Sequence, residues 1–177
     1  MMIFDTHCHY NDESFDSDRD DLIKGLPGEG VDQICEIGYN LESSEKAVHL
    51  AEEYRGTGLS VYSAVGFHPQ NANEFNPDSF QKLEELSYSE RVVAIGEIGL
   101  DYYRLDKRSP IEKEQDEEKK KRGEEVFEDF DPEPAMQKEC FISMIELAKK
   151  RNLPIVIHSR DAALDSFRIV RDHKAYK

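Results

Sequence analysis

The 177-residue chain is short of several things that would place it in other broad classes. It has three cysteines, Cys8, Cys35 and Cys140, widely spaced and without a C-x-x-C pair. That argues against a disulfide scaffold and leads us to expect reduced thiols and a cytoplasmic location. No apolar run approaches the length of a membrane span, and no charged-then-apolar leader opens the chain, so no membrane partner is expected. Positive charge is scarce too: 23 Lys and Arg stand against 38 Asp and Glu, for a net charge of −15. Such a balance disfavours a non-specific grip on nucleic acid or anionic lipid. A phosphate-bearing substrate would need local counter-charge, such as metal ions. Apolar residues, at 38%, still suffice for one hydrophobic core, and the length fits a single domain over 1–177.

Short Val/Ile-rich runs alternate with amphipathic stretches. Strands are expected in "MIFDTHCH", "VDQICEIG", "LSVYSAVGFHP", "RVVAIGEIGL" and "LPIVIHSR". Helices are expected in "DSDRDDLIKGLPGEG", "LESSEKAVHLAEEYRG", "NPDSFQKLEELSYS", "AMQKECFISMIELAKKRN" and "DAALDSFRIVRDHK". Strands separated by helices of this length predict an α/β fold with a parallel sheet of five βα units. Residues 104–134 break the rhythm. They are rich in Lys and Glu, nearly free of aliphatic residues and closed by two prolines. Too little apolar surface is available there to offset ordering entropy, so a solvated, mobile insertion after strand 4 is expected, with transient helix in its middle.

Strand alternation sorts the residues of "FDTHCHY". Asp5, His7 and His9 share one face, while Phe4, Thr6 and Cys8 share the other. Cys8 is therefore expected under a helix as a small apolar residue. His7 and His9 can hold one divalent cation, although H-x-H alone is a weak signal that does not name the metal. Further polar residues stand at the ends of later strands. Glu97 lies in "AIGEIGL", on a face with Val93 and Ile95 and between Gly96 and Gly99; His68 ends "AVGFH"; His158 ends "PIVIH". The carboxyl ends of the strands are where α/β folds put their chemistry, and such residues at the ends of four strands together favour a metal site. His49 and His173 are expected at the surface.

The stretches "FDTHCHY", "VGFHPQ", "GEIGLDYY" and "IHSRDA", in this order and spacing, resemble the TatD family of metal-dependent deoxyribonucleases. The resemblance covers nearly everything outside 104–134. It implies a TIM-type (β/α) barrel, here about five of eight βα units, and a hydrolase of DNA phosphodiester bonds acting like an exonuclease on single-stranded ends. It also implies two divalent metal ions (Mg, Mn or Zn), with His7 and His9 on one, His158 on the other and Glu97 bridging both. His68, Asp101 and Arg160 match positions that line the same pocket and contact substrate or orient ligands. Many related barrel hydrolases use a carboxylated lysine where this chain has Glu97.

The family pattern continues with a sixth-strand histidine and a late aspartate that have no counterpart here. A full barrel needs roughly 250 residues. From this we expect weak metal binding and impaired activity of the chain alone, open edges at strands one and five, and a role for a partner chain supplying the missing strands. Two other readings stand beside the nuclease: a non-catalytic partial barrel that acts by binding, and a barrel hydrolase with a non-phosphate substrate.

Overall fold

A computed structural model describes residues 3–56, 58–128 and 130–175. Met2 of the first expected strand, Asp129 of the insertion and the extreme ends of the 1–177 domain lie outside the described residues. The strands are β1 (Ile3–Cys8), β2 (Val31–Ile37), β3 (Ser60–Val65), β4 (Val92–Asp101) and β5 (Ile155–Arg160). All neighbours pair parallel, in the order β1-β2-β3-β4-β5. Between them run α1 (Arg19–Gly25), α2 (Leu41–Glu53), α3 (Pro77–Leu86), α4 (Pro110–Lys121) and α5 (Pro134–Arg151), with α6 (Ala163–Asp172) after β5. This is the expected partial (β/α) barrel.

Local chemistry explains where the helices begin. Asn40 and Asn76 each accept from a backbone N–H of the first turn of α2 and α3, and Ser43 and Ser79 return the bond to the cap. These reciprocal bonds satisfy donors that a helix start leaves open.

Apolar side chains occupy both faces of the sheet. Ile95, Ile98 and Leu100 of β4 pack with Phe141, Met144 and Ile145 of α5. Cys8, Ile34 and Val61 pack with Ile23 of α1 and Leu50 and Ala51 of α2. Cys8 is thus where alternation put it, under helices, and burial raises its thiol pKa. The concave face holds a smaller cluster of Cys35, Ile37, Ala64 and Ala94. Smaller residues suit the confined inner side of a barrel.

Two expectations are refined. Ile95 belongs to the layer under the helices together with Ile98, three residues on, so Glu97 does not share its face. Ile95 and Ile98 of β4 oppose Ile155 and Ile157 of β5, which gives β4 one extra residue at Gly96–Glu97. A bulge of this kind re-aims a side chain and is common beside functional sites. The insertion, in turn, contains helix α4, with Pro110 in its first turn and a reciprocal cap between Ser109 and Glu112. No residue of α4 is buried. The root of the insertion is tied down by Asp131, which accepts from the Arg104 backbone N–H (3.0 Å) and from Gln70 Nε2 (3.0 Å).

Candidate metal centre

The carboxyl ends of β1, β3, β4 and β5 meet around Glu97. His7 leaves β1 one residue before its end, and His9 follows the strand directly. His68 stands three residues past β3, capping the 3-10 turn Pro69–Glu74. Glu97 and Asp101 lie in β4, and His158 and Arg160 in β5. His9, Tyr39, His68, Gln70 and Glu97 line an open cleft of about 380 Å³.

The two oxygens of Glu97 face different histidines. Oε2 lies 3.3 Å from His7 Nε2, and Oε1 lies 3.1 Å from His158 Nδ1. Donor atoms of His7, His9 and Glu97 fall within 4.8 Å of one another, as do those of His68, Glu97 and His158. Imidazole and carboxylate at such separations are the donors a divalent cation of the Zn or Mn type takes, and three protein ligands leave positions for water. The residues present therefore fit metal binding by chemistry and spacing.

Hydrogen bonds fix which ring nitrogens are available. His9 donates from Nδ1 to the Ile37 carbonyl at 3.1 Å, leaving Nε2 free. His158 Nε2 lies 3.0 Å from Asp101 Oδ2, leaving Nδ1 toward Glu97. Such partners orient ligating histidines and raise their basicity. His68 accepts the Gln70 backbone N–H at Nδ1 (3.2 Å), so the neutral ring carries its proton on Nε2.

Charges follow the same geometry. Burial alone would raise the Glu97 pKa, but the hydrogen bond from His158 and the rings of His68 and His7 outweigh it and hold the carboxyl below the usual range. The bond to Glu97 raises the His158 pKa, against the opposing effect of burial, and Asp101 adds to it. Burial, with His158 beside it, brings His68 down to about 4. Their rings pack edge to face with centroids 4.2 Å apart.

Glycines let the strands close in. A Cβ on Gly99, whose φ is +148°, would lie 1.9 Å from the His158 carbonyl oxygen; one on Gly96 would meet the Val156 side chain at 2.5 Å. Only glycine fits these contacts.

One supporting residue escaped the sequence reading. Gln137 of α5 is fully buried and brackets Asp101, accepting its N–H at Oε1 (2.8 Å) and donating from Nε2 to its carbonyl (2.8 Å). A polar residue on the same helix face as Cys140, Phe141 and Met144 was the available signal. Of the remaining histidines, His49 is exposed near Glu53, while His173 is half-buried with Nδ1 3.2 Å from Glu146 Oε1.

Parallel strands that bring histidines and a shared carboxylate together at their carboxyl ends define a partial (β/α) barrel with a candidate metal centre. The sequence model of the TatD related DNase family matches residues 4–177, and the chain belongs to that family. It is 35% identical over 175 residues to the uncharacterized metal-dependent hydrolase YabD of Bacillus subtilis, covering 98% of this chain and 57% of that protein. It is 32% identical over 160 residues to the 3'-5' ssDNA/RNA exonuclease TatD of Cronobacter sakazakii, covering 90% of this chain and 50% of that protein. The chain thus spans about half the length of the curated relatives it matches. Among solved structures, a TatD family hydrolase from Entamoeba histolytica superposes with a TM-score of 0.77 at 21% identity, covering 98% of this chain and 55% of that one. The TatD homolog YJJV from Escherichia coli gives 0.72 at 24%, covering 98% and 56%. These two likenesses bear on the fold alone. Among the described residues no helix is long and apolar enough to cross a membrane.

Proposed function

We propose that this chain hydrolyses phosphodiester bonds of nucleic acid, working on single-stranded ends through two divalent ions. The observation that carries the reading is Glu97, whose two oxygens face separate histidine sets (3.3 Å to His7, 3.1 Å to His158). His7, His9 and Glu97 would hold one ion, and Glu97 and His158 the other. When bound, such ions lower the pKa of a water and polarise a phosphoryl oxygen.

The chain's own residues supply the positioning. The Ile37 carbonyl keeps His9 in the tautomer that offers Nε2, and Asp101 orients His158 so that Nδ1 is offered. His68 is neutral near pH 7 and protonated at Nε2, so it can donate to a phosphoryl oxygen without adding charge. Arg160 supplies a fixed cation at the end of β5. In this reading Arg160 would meet the phosphate with positive charge, on a chain whose overall charge is −15.

The edge strands β1 and β5 expose Ile3, Phe4 and Ile157. We read these edges as surfaces covered by further βα units of the same barrel, in continuation or from a partner chain. The three free, buried cysteines fit a reducing, cytoplasmic setting.

The test is release of nucleotides from end-labelled single-stranded DNA, with Mg, Mn or Zn added in turn. Metal-dependent release that is lost in Glu97→Gln supports the reading. Metal uptake with turnover of an amide or lactone, and none of any phosphodiester, would replace it with the non-phosphate alternative.

A further inference from the structure

Arg160 is an unusual cation for this chain. Its guanidinium carbon sits 3.6 Å from the centroid of the Tyr103 ring, and among the described residues no carboxylate lies within ion-pair distance of it. Acidic groups are near, but they are engaged. Asp101, which pairs with Arg160 across β4 and β5, gives Oδ2 to His158 and Oδ1 to the Tyr103 backbone N–H (3.0 Å). Glu97 is taken up by His7 and His158. Arg160 therefore keeps its N–H donors unspent while its flat face rests on an aromatic ring. A planar guanidinium with free donors recognises phosphate in a forked geometry.

Tyr103 is equally telling. It is 54% exposed although the Arg160 guanidinium rests on its ring. Its neighbour Tyr102 is half-buried, with its hydroxyl bonded to Asp165 (3.1 Å). Tyr103 has no such anchor and is held by the turn at Asp101. Arg160 follows His158 by two strand positions on the same face, about 7 Å along β5. That offset is comparable with the span of a single nucleotide. An exposed aromatic ring stacked on a free guanidinium, with that guanidinium's residue two strand positions from His158, has the two elements that grip single strands: stacking and phosphate contact.

We propose that Tyr103 and Arg160 form a nucleotide clamp at the mouth of the site. The exposed ring of Tyr103 stacks the base next to the scissile phosphate, and Arg160 holds the adjoining phosphate. The clamp gives the site its preference for unpaired ends, because a base inside a duplex has no free face to stack. This inference rests on the nucleic-acid reading of the site.

The test is equilibrium binding by fluorescence anisotropy, in metal-free buffer and again with Mn²⁺. Two probes of equal length are used, a single-stranded oligodeoxynucleotide and its counterpart with abasic terminal residues. Tyr103→Ala is expected to weaken binding of the normal oligomer about 5- to 150-fold, the range for losing one stacked base. It should leave the abasic oligomer within twofold of wild type. Tyr103→Phe should keep normal binding, since the ring and not the hydroxyl is used. Arg160→Ala should weaken both probes. Equal binding of the normal oligomer by wild type and Tyr103→Ala would overturn the clamp while leaving the nuclease reading intact, as would equal losses for both probes. Wild-type protein that binds neither oligomer under either condition would overturn the nuclease reading, and the clamp with it.

Discussion

Asp101 Oδ2 lies 3.0 Å from Nε2 of His158, and Asp101 is itself almost fully buried. The contact decides which nitrogen His158 presents, because a ring donating at Nε2 offers Nδ1 on the side of Glu97. Removing such an orienting partner commonly costs 10- to 100-fold in metal affinity. Asp101→Ala is therefore expected to weaken Mn²⁺ or Zn²⁺ binding about 10- to 100-fold by calorimetric titration. Unchanged affinity in a folded variant would show that Asp101 serves the fold only.

Gly99 is required by close approach. Its φ of +148° and the His158 carbonyl 1.9 Å from a would-be Cβ leave no room for alanine. Gly99→Ala combines backbone strain with overpacking, and is expected to cost about 2–5 kcal/mol. For a chain of this size that lowers Tm by roughly 5–15 °C. Thermal unfolding followed by circular dichroism measures it, and a shift under 2 °C would mean that the strands part easily here.

Glu36 predicts a pH dependence unconnected with any metal. It is fully buried, and burial raises its pKa against the bonds it accepts from Cys8 Sγ and the Asn11 N–H. In the unfolded chain the same carboxyl ionises in the ordinary range. The fold thus binds its proton more tightly, and the stabilisation is complete below the ordinary glutamate range. It is lost as pH rises through the raised value. Urea midpoints measured from pH 4 to 8 should fall for wild type relative to Glu36→Gln as pH increases. Parallel curves would contradict the burial argument.

The insertion should be separable from the core. α4 buries no residue, and its root is held by Arg104, Asp131 and Gln70. Replacing residues 108–126 by a short Gly-Ser linker is expected to remove helical signal while shifting Tm by only a few degrees. A collapse of the whole fold would show that α4 carries core contacts.

The βα rhythm was legible because most strands are short Val/Ile-rich runs and α1 to α4 begin at Asp18, Asn40, Asn76 and Ser109. The convergence of His7, His9, Glu97 and His158 was legible because all four stand near the carboxyl ends of strands. Less visible was the extra residue at Gly96–Glu97, since "AIGEIGL" alternates without a break and the bulge exists only in the pairing with β5. Helix α4 did have a signal, Ser109-Pro110-Ile111-Glu112 as a capping box, but the charged composition around it argued for a loop. The contact between Tyr103 and Arg160 gave no sign in the sequence, because it joins the turn after β4 to β5, 57 positions on.

The central claim is that one carboxylate, Glu97, serves two donor sets. The most direct test is a metal titration of wild type, His9→Ala, His158→Ala and Glu97→Ala, with stoichiometry read by calorimetry and folding checked by circular dichroism. The account predicts up to two ions per wild-type chain, loss of one in each histidine variant and loss of both in Glu97→Ala. A folded Glu97→Ala chain that binds metal as wild type does would contradict it.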